Sequence, residues 1–395
     1  MHSVVVVGGG FGGVKTALEL AKNKRAQVTL ISDRSDFQYY PALYSTATGG
    51  SNLQSWIPLS DIFAKHDNVT IIIDAIERLD KVARTISMAS GETHEYQTLV
   101  LALGSVTTYF GIQGLDHYAY GIKSHDEIER LKRHVVHEFS QVNGADSHFL
   151  IIGAGPTGVE LAASLGNFLK KLKKKYRQPQ PRISISIIEV APRVLPHMSE
   201  KASAKAAKRL KSLGIHVETN KKVEAETVDT LIVNGKPIKS HTVIWTSGVA
   251  NNPFYTANAD QFELSKNGKV VVDEHMRVDQ HVYVIGDNAF TQYSGLAQVA
   301  VHDAVFTAKH ILKKTNKKHS VKLPPVVVPV GENWAIFEYG TLTIDGRLGA
   351  LIRQAADLIG YHDVLPLRQT LHAWSSQSIE SNAAYYPELD RPKTK

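Results

Sequence analysis

The chain has 395 residues, of which 43% are hydrophobic and 21% charged, and this size and balance predict two or three globular domains. The formal net charge of +7 is too small to indicate a nucleic-acid partner by itself, and no nucleic-acid-binding signature accompanies it. The sequence contains no cysteine, which excludes disulfides, thiolate metal sites and a dithiol redox relay and fits a cytosolic protein.

The chain begins with a predicted strand–helix–strand unit. Val4–Val7 has the continuous apolar character of a buried parallel strand, residues 15–24 have helical spacing, and Ala26–Ser32 is the next strand. Further short strands are predicted over residues 69–74, 83–89 and 98–104.

A second unit of the same kind follows. Ser124 and the acidic residues after it predict a helix over residues 124–141. The unit itself then comprises a strand over 149–152, a helix from Val159 and a strand over 183–189. Downstream, the sequence predicts a helix over about 200–213, a strand over 215–219, a hairpin turning at Asn234-Gly235, strand-like text over 269–287 and a strand pair around 332–344.

Residues 346–374, near the C-terminus, are predicted to contain an amphipathic helix. Its apolar residues share one face: Leu348, Leu351, Ile352, Ala355, Leu358 and Ile359. Arg347, Arg353 and Arg368, with Tyr361 and Trp374, suit a helix in a membrane interface. Packing on the body of the protein or on a second subunit is the alternative. No stretch approaches the ~18 apolar residues that span a bilayer, so we expect a soluble or peripheral protein.

Two glycine-rich turns each follow a strand and open a helix. In such a turn the first glycine permits the tight bend, the second lets the backbone approach a pyrophosphate, and the third permits close helix–strand packing. The helix N-terminus then presents free N–H groups to the anion. The glycines are Gly8, Gly10 and Gly13 in the first turn and Gly153, Gly155 and Gly158 in the second. The pattern therefore predicts two dinucleotide sites.

An acidic residue at the end of the following strand would bind ribose hydroxyls. In the second unit this residue is Glu189, whose charge favours NAD over a 2′-phosphorylated nucleotide, although Arg193 is close in sequence. In the first unit Ser32 or Asp33 occupies the position, and Asp33 could instead simply start a turn. Two such sites suggest a retained flavin and an exchangeable nicotinamide.

These motifs resemble, in order, those of the two-dinucleotide-binding-domain flavoproteins, and most nearly the type II NADH dehydrogenases, which are single-chain NADH:quinone oxidoreductases. The resemblance covers roughly residues 3–315. The motifs that carry it are "VVVVGGGFGGVKTALEL", "LVLALGS", "IIGAGPTGVELA", "TVIWTSGV" and "VYVIGDNA". The resemblance implies an α/β fold with two Rossmann-like domains: an FAD-binding domain over 1–115 and 265–325, an NADH-binding domain over 116–264, and a small C-terminal α/β segment over 326–395.

The resemblance also implies which residues hold the cofactors. FAD would lie on the first turn, near Asp287 for its ribitol; NADH would lie on the second turn under a loop at Gly248. Leu103 stands where the family usually has threonine. The implied FAD contacts are Gly8, Gly10, Phe11, Gly13, Ser32, Asp33, Pro41, Gly104, Gly286 and Asp287. The implied NADH contacts are Gly153, Gly155, Gly158, Glu189 and Gly248.

Three further residues are implied in catalysis. Glu160 matches a glutamate near the nicotinamide–flavin contact, although it could be an ordinary helix residue. Gln298 matches the first glutamine of the family's quinone motif, and His302 replaces the second, four residues along the same helix face. His302 could instead be a solvated helix residue. No metal is implied.

The implied reaction is non-electrogenic: hydride passes from NADH to FAD, and two electrons then pass to quinone in a respiratory chain. Without cysteine, the disulfide reductases and sulfide:quinone oxidoreductases of the superfamily are excluded. The alternatives are a soluble diaphorase or ferredoxin-reductase-like enzyme with another acceptor, or a low-turnover flavin and NADH sensor. We expect a cytoplasmic protein that can be peripheral on the inner face of the cell membrane through its C-terminal segment and that can form a homodimer. The basic stretch Lys170–Arg177 is either a solvated helix face or a contact to anionic lipid.

Overall fold

The structure is a computed structural model that describes residues 2–140, 148–176 and 183–376. The strands in these ranges are β1 (His2–Val7), β2 (Ala26–Ser32), β3 (Asp36–Gln38), β4 (Trp56–Pro58), β5 (Val69–Ile73), β6 (Ile76–Asp80), β7 (Thr85–Met88), β8 (Thr93–Glu95), β9 (Thr98–Leu101), β10 (Ser105–Thr107), β11 (His148–Ile152), β12 (Ser184–Ile188), β13 (Ile215–Glu218), β14 (Val223–Glu226), β15 (Thr230–Val233), β16 (Lys236–Lys239), β17 (Thr242–Trp245), β18 (Val249–Asn251), β19 (Val282–Val284), β20 (Val326–Pro329), β21 (Ala335–Tyr339) and β22 (Leu342–Gly346).

The α-helices in the same ranges are α1 (Phe11–Ala21), α2 (Leu43–Ala47), α3 (Leu59–Phe63), α4 (Leu115–Tyr118), α5 (His125–Ser140), α6 (Pro156–Tyr176), α7 (Glu200–Ser212), α8 (Pro253–Ala257), α9 (Ala297–Ile311), α10 (Arg347–His362) and α11 (Leu367–Ser376).

Two parallel sheets form the centre of the molecule. The first has the order β5-β2-β1-β9-β19 and the second the order β13-β12-β11-β17. In both, the strand that precedes a glycine turn lies in the middle, with the next strand on one side and a later strand on the other, which is the Rossmann order. The inner strands are buried along most of their length because helices cover both faces. This arrangement confirms the predicted α/β fold with two Rossmann-like units.

The chain passes between the two units at an antiparallel ribbon of β10 and β18. The residues after β18 return to the first unit, where Phe254, Tyr255 and Phe262 join its apolar core. The domain limits at 115/116 and 264/265 stay predictions.

Two local predictions are confirmed by their hydrogen bonds or backbone angles. At the start of α5, the Ser124 hydroxyl accepts the Glu127 N–H at 3.2 Å and the Glu127 carboxylate accepts the Ser124 N–H at 3.0 Å, a capping box. The hairpin between β15 and β16 turns at Asn234 and Gly235, with φ of +48° and +70°, angles that asparagine and glycine tolerate.

The strand-like text over 269–287 is mostly turns, and only β19 in it is a strand. The reason is Asp273, whose carboxylate accepts the N–H groups of both His275 and Arg277 and folds the chain back on itself. The expectation of a longer strand there is wrong, because a local side-chain acceptor competes with sheet pairing.

The C-terminal segment consists of the antiparallel sheet β20-β21-β22 with α10 and α11. Helix α10 packs on this sheet and turns Gly349, Asp357 and Tyr361 inward. The Tyr361 ring stacks on Tyr39 at 3.8 Å between centroids, and its hydroxyl donates to the Gln54 carbonyl. Of the two alternatives for the tail, packing on the body therefore applies to Tyr361 and its neighbours on that face.

The opposite face of α10 carries the apolar stripe that the sequence indicated. Leu348, Leu351 and Ile359 are exposed, and so are Leu367 and Leu371 on α11, a helix that packs against α10. In the described part of the chain, no helix combines the length and apolar character needed to cross a bilayer.

Candidate functional site

The two glycine turns have the same construction. Gly8 has φ of +119° and Gly153 has φ of +107°, a region that side chains rarely enter. A Cβ placed on Gly13 would lie 1.9 Å from the Gly8 carbonyl oxygen, and a Cβ on Gly158 would lie 1.9 Å from the Gly153 carbonyl oxygen. Any side chain at these third positions would push the helix away from its strand.

The middle glycines face open space. A Cβ on Gly10 or on Gly155 would meet no protein atom within 4 Å, and each glycine directly precedes a helix, α1 or α6. The two positions are therefore cradles that a side chain would fill, at helix N-termini whose dipole favours an anion. This geometry fits a dinucleotide pyrophosphate at each turn.

Glu189 lies directly against the second turn. Its Oε2 accepts the Ala154 N–H at 2.5 Å and its Oε1 accepts the Ala191 N–H at 2.7 Å. Because Arg193 is close to Glu189 in sequence, it was a possible partner for the 2′-phosphate of NADPH. In the structure it donates to the carbonyls of Pro196 and Met198, both at 2.8 Å. The carboxylate is thus held at the turn, and the nearby guanidinium is occupied by the backbone.

The corresponding position at the first turn is different. Ser32 is buried, and its Oγ would be 2.3 Å from a Cβ on Gly9. Asp33 is half exposed and pairs with Arg34 at 3.0 Å. Ser32 is consequently the residue that contacts the turn, whereas Asp33 pairs with Arg34.

Phe11 begins α1 but its side chain is part of the core. The ring packs edge-on against Phe37 with centroids 5.0 Å apart. We therefore expect any contact of Phe11 with a cofactor to be made by its backbone.

Gly104 and the turn at Gly286-Asp287 are fastened together by Asn288, a residue that the sequence reasoning did not single out. The Asn288 side chain is fully buried; it accepts the Gly104 N–H at 2.9 Å and donates to the Gly104 carbonyl at 2.7 Å. Asn288 lies within the motif "VYVIGDNA", directly after Asp287, and this position was the sequence feature that could have pointed to it. A carboxamide is needed because only a group that both donates and accepts can close this pair.

Asp287 lies beside a lysine that was also missed. The Asp287 carboxylate accepts the Ser105 hydroxyl at 2.9 Å, and Lys123 Nζ lies 3.1 Å from Ser105 Oγ. Burial lowers the pKa of Lys123, while Asp287 and Glu127 oppose that shift. The ammonium group of Lys123 thus lies near Asp287, the residue predicted to contact the ribitol. The two residues are far apart in the sequence, so their proximity was not predicted.

Gly248 lies where the loop after β17 meets the ribbon between the units. A Cβ on Gly248 would lie 2.3 Å from the Thr108 carbonyl oxygen, and Trp245 Nε1 donates to the same oxygen at 2.9 Å. Ser247, next in the loop, would be 2.3 Å through its Oγ from a Cβ on Gly153. The predicted covering loop therefore lies directly against the second glycine turn.

Glu160 lies in a buried ion-pair network that joins three parts of the chain. Its Oε1 is 3.3 Å from Arg353 Nη1, and both side chains are about nine-tenths buried, at 11% and 12% exposure. Arg353 also bonds Asp357 through Nε at 2.8 Å and donates to the Pro41 carbonyl at 2.8 Å. One guanidinium thus ties helix α10 to helix α6 and to the loop at Pro41.

Burial is the main influence on Glu160. It raises the pKa of Glu160 to about 7, against the opposing charge of Arg353. Arg353 lies closer to Asp357 than to Glu160, so its charge only partly offsets the burial. Glu160 therefore exchanges a proton near neutral pH, which is the property of a group that can hold or release one.

Gln298 and His302 lie on the outer side of α9, whose inner side packs against α1. Gln298 Nε2 donates to the Pro325 carbonyl at 2.7 Å, and the His302 side chain is 46% exposed. They share a helix face, as predicted, but Glu160 belongs to the α6–α10 network instead. The three predicted catalytic residues thus lie in two different places: Glu160 in a buried network, and Gln298 with His302 on the exposed face of α9.

Comparisons with known proteins are in agreement with this architecture. Residues 2–304 match the pyridine nucleotide-disulphide oxidoreductase family. The type II NADH:quinone oxidoreductase NdhA of Mycobacterium tuberculosis is 27% identical, over 94% of this chain and 86% of its own length. The type II NADH:quinone oxidoreductase of Staphylococcus epidermidis is 26% identical, over 90% of this chain and 94% of its own.

Solved structures show the same fold. NDH2 of Plasmodium falciparum in complex with NADH superposes with a TM-score of 0.86 at 19% identity, covering 95% of this chain and 97% of that one. The sulfide:quinone oxidoreductase of Aquifex aeolicus superposes with a TM-score of 0.77, also at 19% identity, covering 98% and 94%. At this level of identity the likeness establishes the fold alone.

Proposed function

This chain belongs to the pyridine nucleotide-disulphide oxidoreductase family, and on that premise we propose that it is an FAD-dependent NADH:quinone oxidoreductase. The observation that carries the proposal is the pair of equally built cradles at Gly10 and Gly155, one on each parallel sheet. Two pyrophosphate sites in one chain suit one retained and one exchangeable redox cofactor.

The first unit would hold FAD. Its pyrophosphate would lie in the cradle at Gly10, and its ribitol near Asp287, which Ser105 and Lys123 orient. Asn288 keeps Gly104 and Gly286 at a fixed separation across that space. When bound, FAD supplies the capacity to take a hydride equivalent from NADH and to pass two electrons to quinone.

The second unit would hold NADH. The pyrophosphate would lie in the cradle at Gly155, and Glu189 would bind the ribose hydroxyls. Arg193 already donates to two backbone carbonyls, which occupies part of its hydrogen-bonding capacity, and the Glu189 carboxylate would repel a 2′-phosphate. These contacts favour NADH over NADPH.

Glu160 would serve the nicotinamide end and Gln298 with His302 the quinone end. Since the pKa of Glu160 is about 7, this carboxyl can hold a proton or orient the nicotinamide in either state. Gln298 and His302 present hydrogen-bonding groups on an exposed helix face, where a quinone carbonyl could approach.

An anaerobic titration of the FAD-loaded protein tests this function. We expect NADH to bleach the flavin absorption bands and a short-chain quinone to restore them rapidly. Replacing His302 with alanine should slow only the restoration, because that residue is assigned to the quinone end. A protein that stays colourless when FAD is supplied would refute the proposal. Bleaching by NADH without reoxidation by quinone would show that the electron acceptor is a different compound.

We further propose that the exposed apolar stripe of α10 and α11 lies on an anionic membrane surface. The stripe, Leu348, Leu351, Ile359, Leu367 and Leu371, is flanked by the exposed Arg347 and Arg368. Apolar side chains rimmed by arginine match the acyl boundary and the anionic headgroups of such a surface.

Replacing Leu351 and Ile359 together with glutamate should abolish sedimentation with vesicles that contain anionic lipid. Each change puts a charge where an apolar side chain would enter the membrane. Replacing Val82 with glutamate is the control, since Val82 is 96% exposed and lies far along the chain in the β6–β7 turn. A dimer in lipid-free solution that the double variant dissociates would assign the stripe to a second copy instead.

A further inference from the structure

Three residues with metal-ligating side chains converge where α9 meets the loop after it: the exposed His302, the buried Asp303 and His319. His302, Asp303 and His319 bring their ligand atoms within 4.8 Å of one another. We refer to these three residues as the α9 triad. The triad was not part of the sequence interpretation, because His319 lies on a different segment of the chain and only the fold brings it to the helix.

The distances within the α9 triad are close to those of a coordination sphere. His319 Nε2 lies 2.7 Å from Asp303 Oδ1, and His302 Nδ1 lies 3.9 Å from the same oxygen. Bond lengths of about 2.0–2.1 Å in a tetrahedral zinc site put ligand atoms about 3.3 Å apart. A cation would therefore replace the His319–Asp303 hydrogen bond, and rotation of the exposed His302 ring would bring the third ligand into range.

Two of the three ligands are held firmly from outside the triad. Asp303 is fully buried, and its second oxygen accepts the Gly286 N–H at 3.1 Å. The backbone N–H of His319 donates to the Glu274 carbonyl at 2.7 Å, and its ring lies edge-on to Phe306 at 5.0 Å. Outer contacts of this kind orient metal ligands and are part of functional metal sites.

The third ligand provides access. His302 is 46% exposed, so its ring can turn and a cation can reach the triad from the His302 side. Two imidazoles and one carboxylate suit zinc and other transition cations, whereas magnesium and calcium prefer oxygen ligands alone.

We propose that the α9 triad binds a divalent transition cation of the zinc class. The site is distinct from the two cradles, yet it is joined to the Gly286-Asp287 turn through Asp303. Binding would occupy the His302 imidazole and thereby block acceptor reduction. That consequence rests on the proposed function, whereas the binding itself does not.

Calorimetric titration of the full chain as purified with ZnCl2, after treatment with chelator, tests the binding directly, whether or not the chain carries FAD. We expect one site per chain, with at least about tenfold weaker binding after His302→Ala and after His319→Ala, because loss of even an outer partner costs that much. MgCl2 should give no comparable heat. Circular dichroism and the flavin spectrum would establish that each variant is folded.

The control is His117→Ala, which should leave zinc binding unchanged. His117 and the adjacent Asp116 form an exposed histidine–carboxylate pair, with 3.7 Å between Nε2 and Oδ2, outside the triad. Equal zinc affinity in the wild type and both triad variants would overturn the proposal, as would equal binding of magnesium. Because the readout is heat of binding, a failure of quinone reduction would not affect this result.

Discussion

Leucine in place of Gly155 should leave a folded, FAD-loaded protein that NADH reduces at least about 100-fold more slowly, the loss typical of a misplaced reactant. A Cβ at Gly155 meets no protein atom within 4 Å, so the side chain would begin in open space. The leucine would instead occupy the space where the nucleotide pyrophosphate approaches the backbone. Stopped-flow measurement of flavin bleaching by NADH gives this rate.

Leucine in place of Gly10 is the matched control, and here we expect the binding of FAD to be lost. Gly10 has φ of −90° and ψ of −170°, angles that any residue adopts, and its Cβ would also meet open space. This variant should fold but purify without FAD. If both variants retained FAD and wild-type reduction rates, neither cradle would be a nucleotide site; if each lost the other's cofactor, the assignment of the two units would be reversed.

Methionine in place of Arg353 should shift the pH dependence of NADH-driven flavin reduction upward. Arg353 is the charge that opposes the burial of Glu160, so its removal raises a pKa that already lies at about 7. The expected shift of the inflection is on the order of 1 pH unit, as for the loss of one close opposite charge. Rates measured between pH 6 and 9 would locate it, and Glu160→Gln should show no inflection in that window.

The same pair of residues also makes stability depend on pH. Burial raises the pKa of Glu160 in the folded protein from its usual 4.5 to about 7, so the folded state binds the proton more tightly than the unfolded state. The contribution of Glu160 to the free energy of unfolding is therefore full below pH 4.5 and is lost as the pH rises to 7. Without Arg353 the loss should extend above pH 7.

Replacing Arg347 with methionine provides the control for the Arg353 variant. Both arginines lie on α10, but Arg347 is exposed whereas Arg353 is buried against Glu160 and Asp357. The Arg353 variant should also lose about 3–5 kcal/mol of unfolding free energy, since a buried ion pair is broken from one side. If the Arg353 variant had the same pH profile as the wild type, the assignment of Glu160 to the nicotinamide end would be refuted.

The local pattern of the chain was sufficient for the two strand–turn–helix units. Each glycine role, the capping box at Ser124 and the hairpin at Asn234-Gly235 depend on residues within a few positions of one another. Their conformations follow from backbone sterics and short-range hydrogen bonds, which the sequence displays directly. Glu189 also belongs here, because the register of parallel strands puts it beside the turn.

The amphipathic tail shows where such reasoning stops. Its periodicity predicted a helix with an apolar face, and α10 has that face, but the face is exposed. The side that packs on the protein carries Asp357, Tyr361 and the Arg353 side chain instead. Periodicity identifies the two faces of a helix; which one is covered depends on the polar partners that the rest of the fold presents.

The sequence by itself therefore determined the two Rossmann-like units and the glycines of their turns, since each rests on near neighbours in the chain. It also determined the acid of the second unit, since the regular register of parallel strands places that residue beside the turn. Only the tertiary structure decided that Arg353 pairs with Glu160 across 193 positions, that Asn288 fastens Gly104 across 184 positions, and that His319 joins Asp303. Contacts over such separations follow from the packing of whole elements, and no local periodicity encodes which polar groups that packing will bury together.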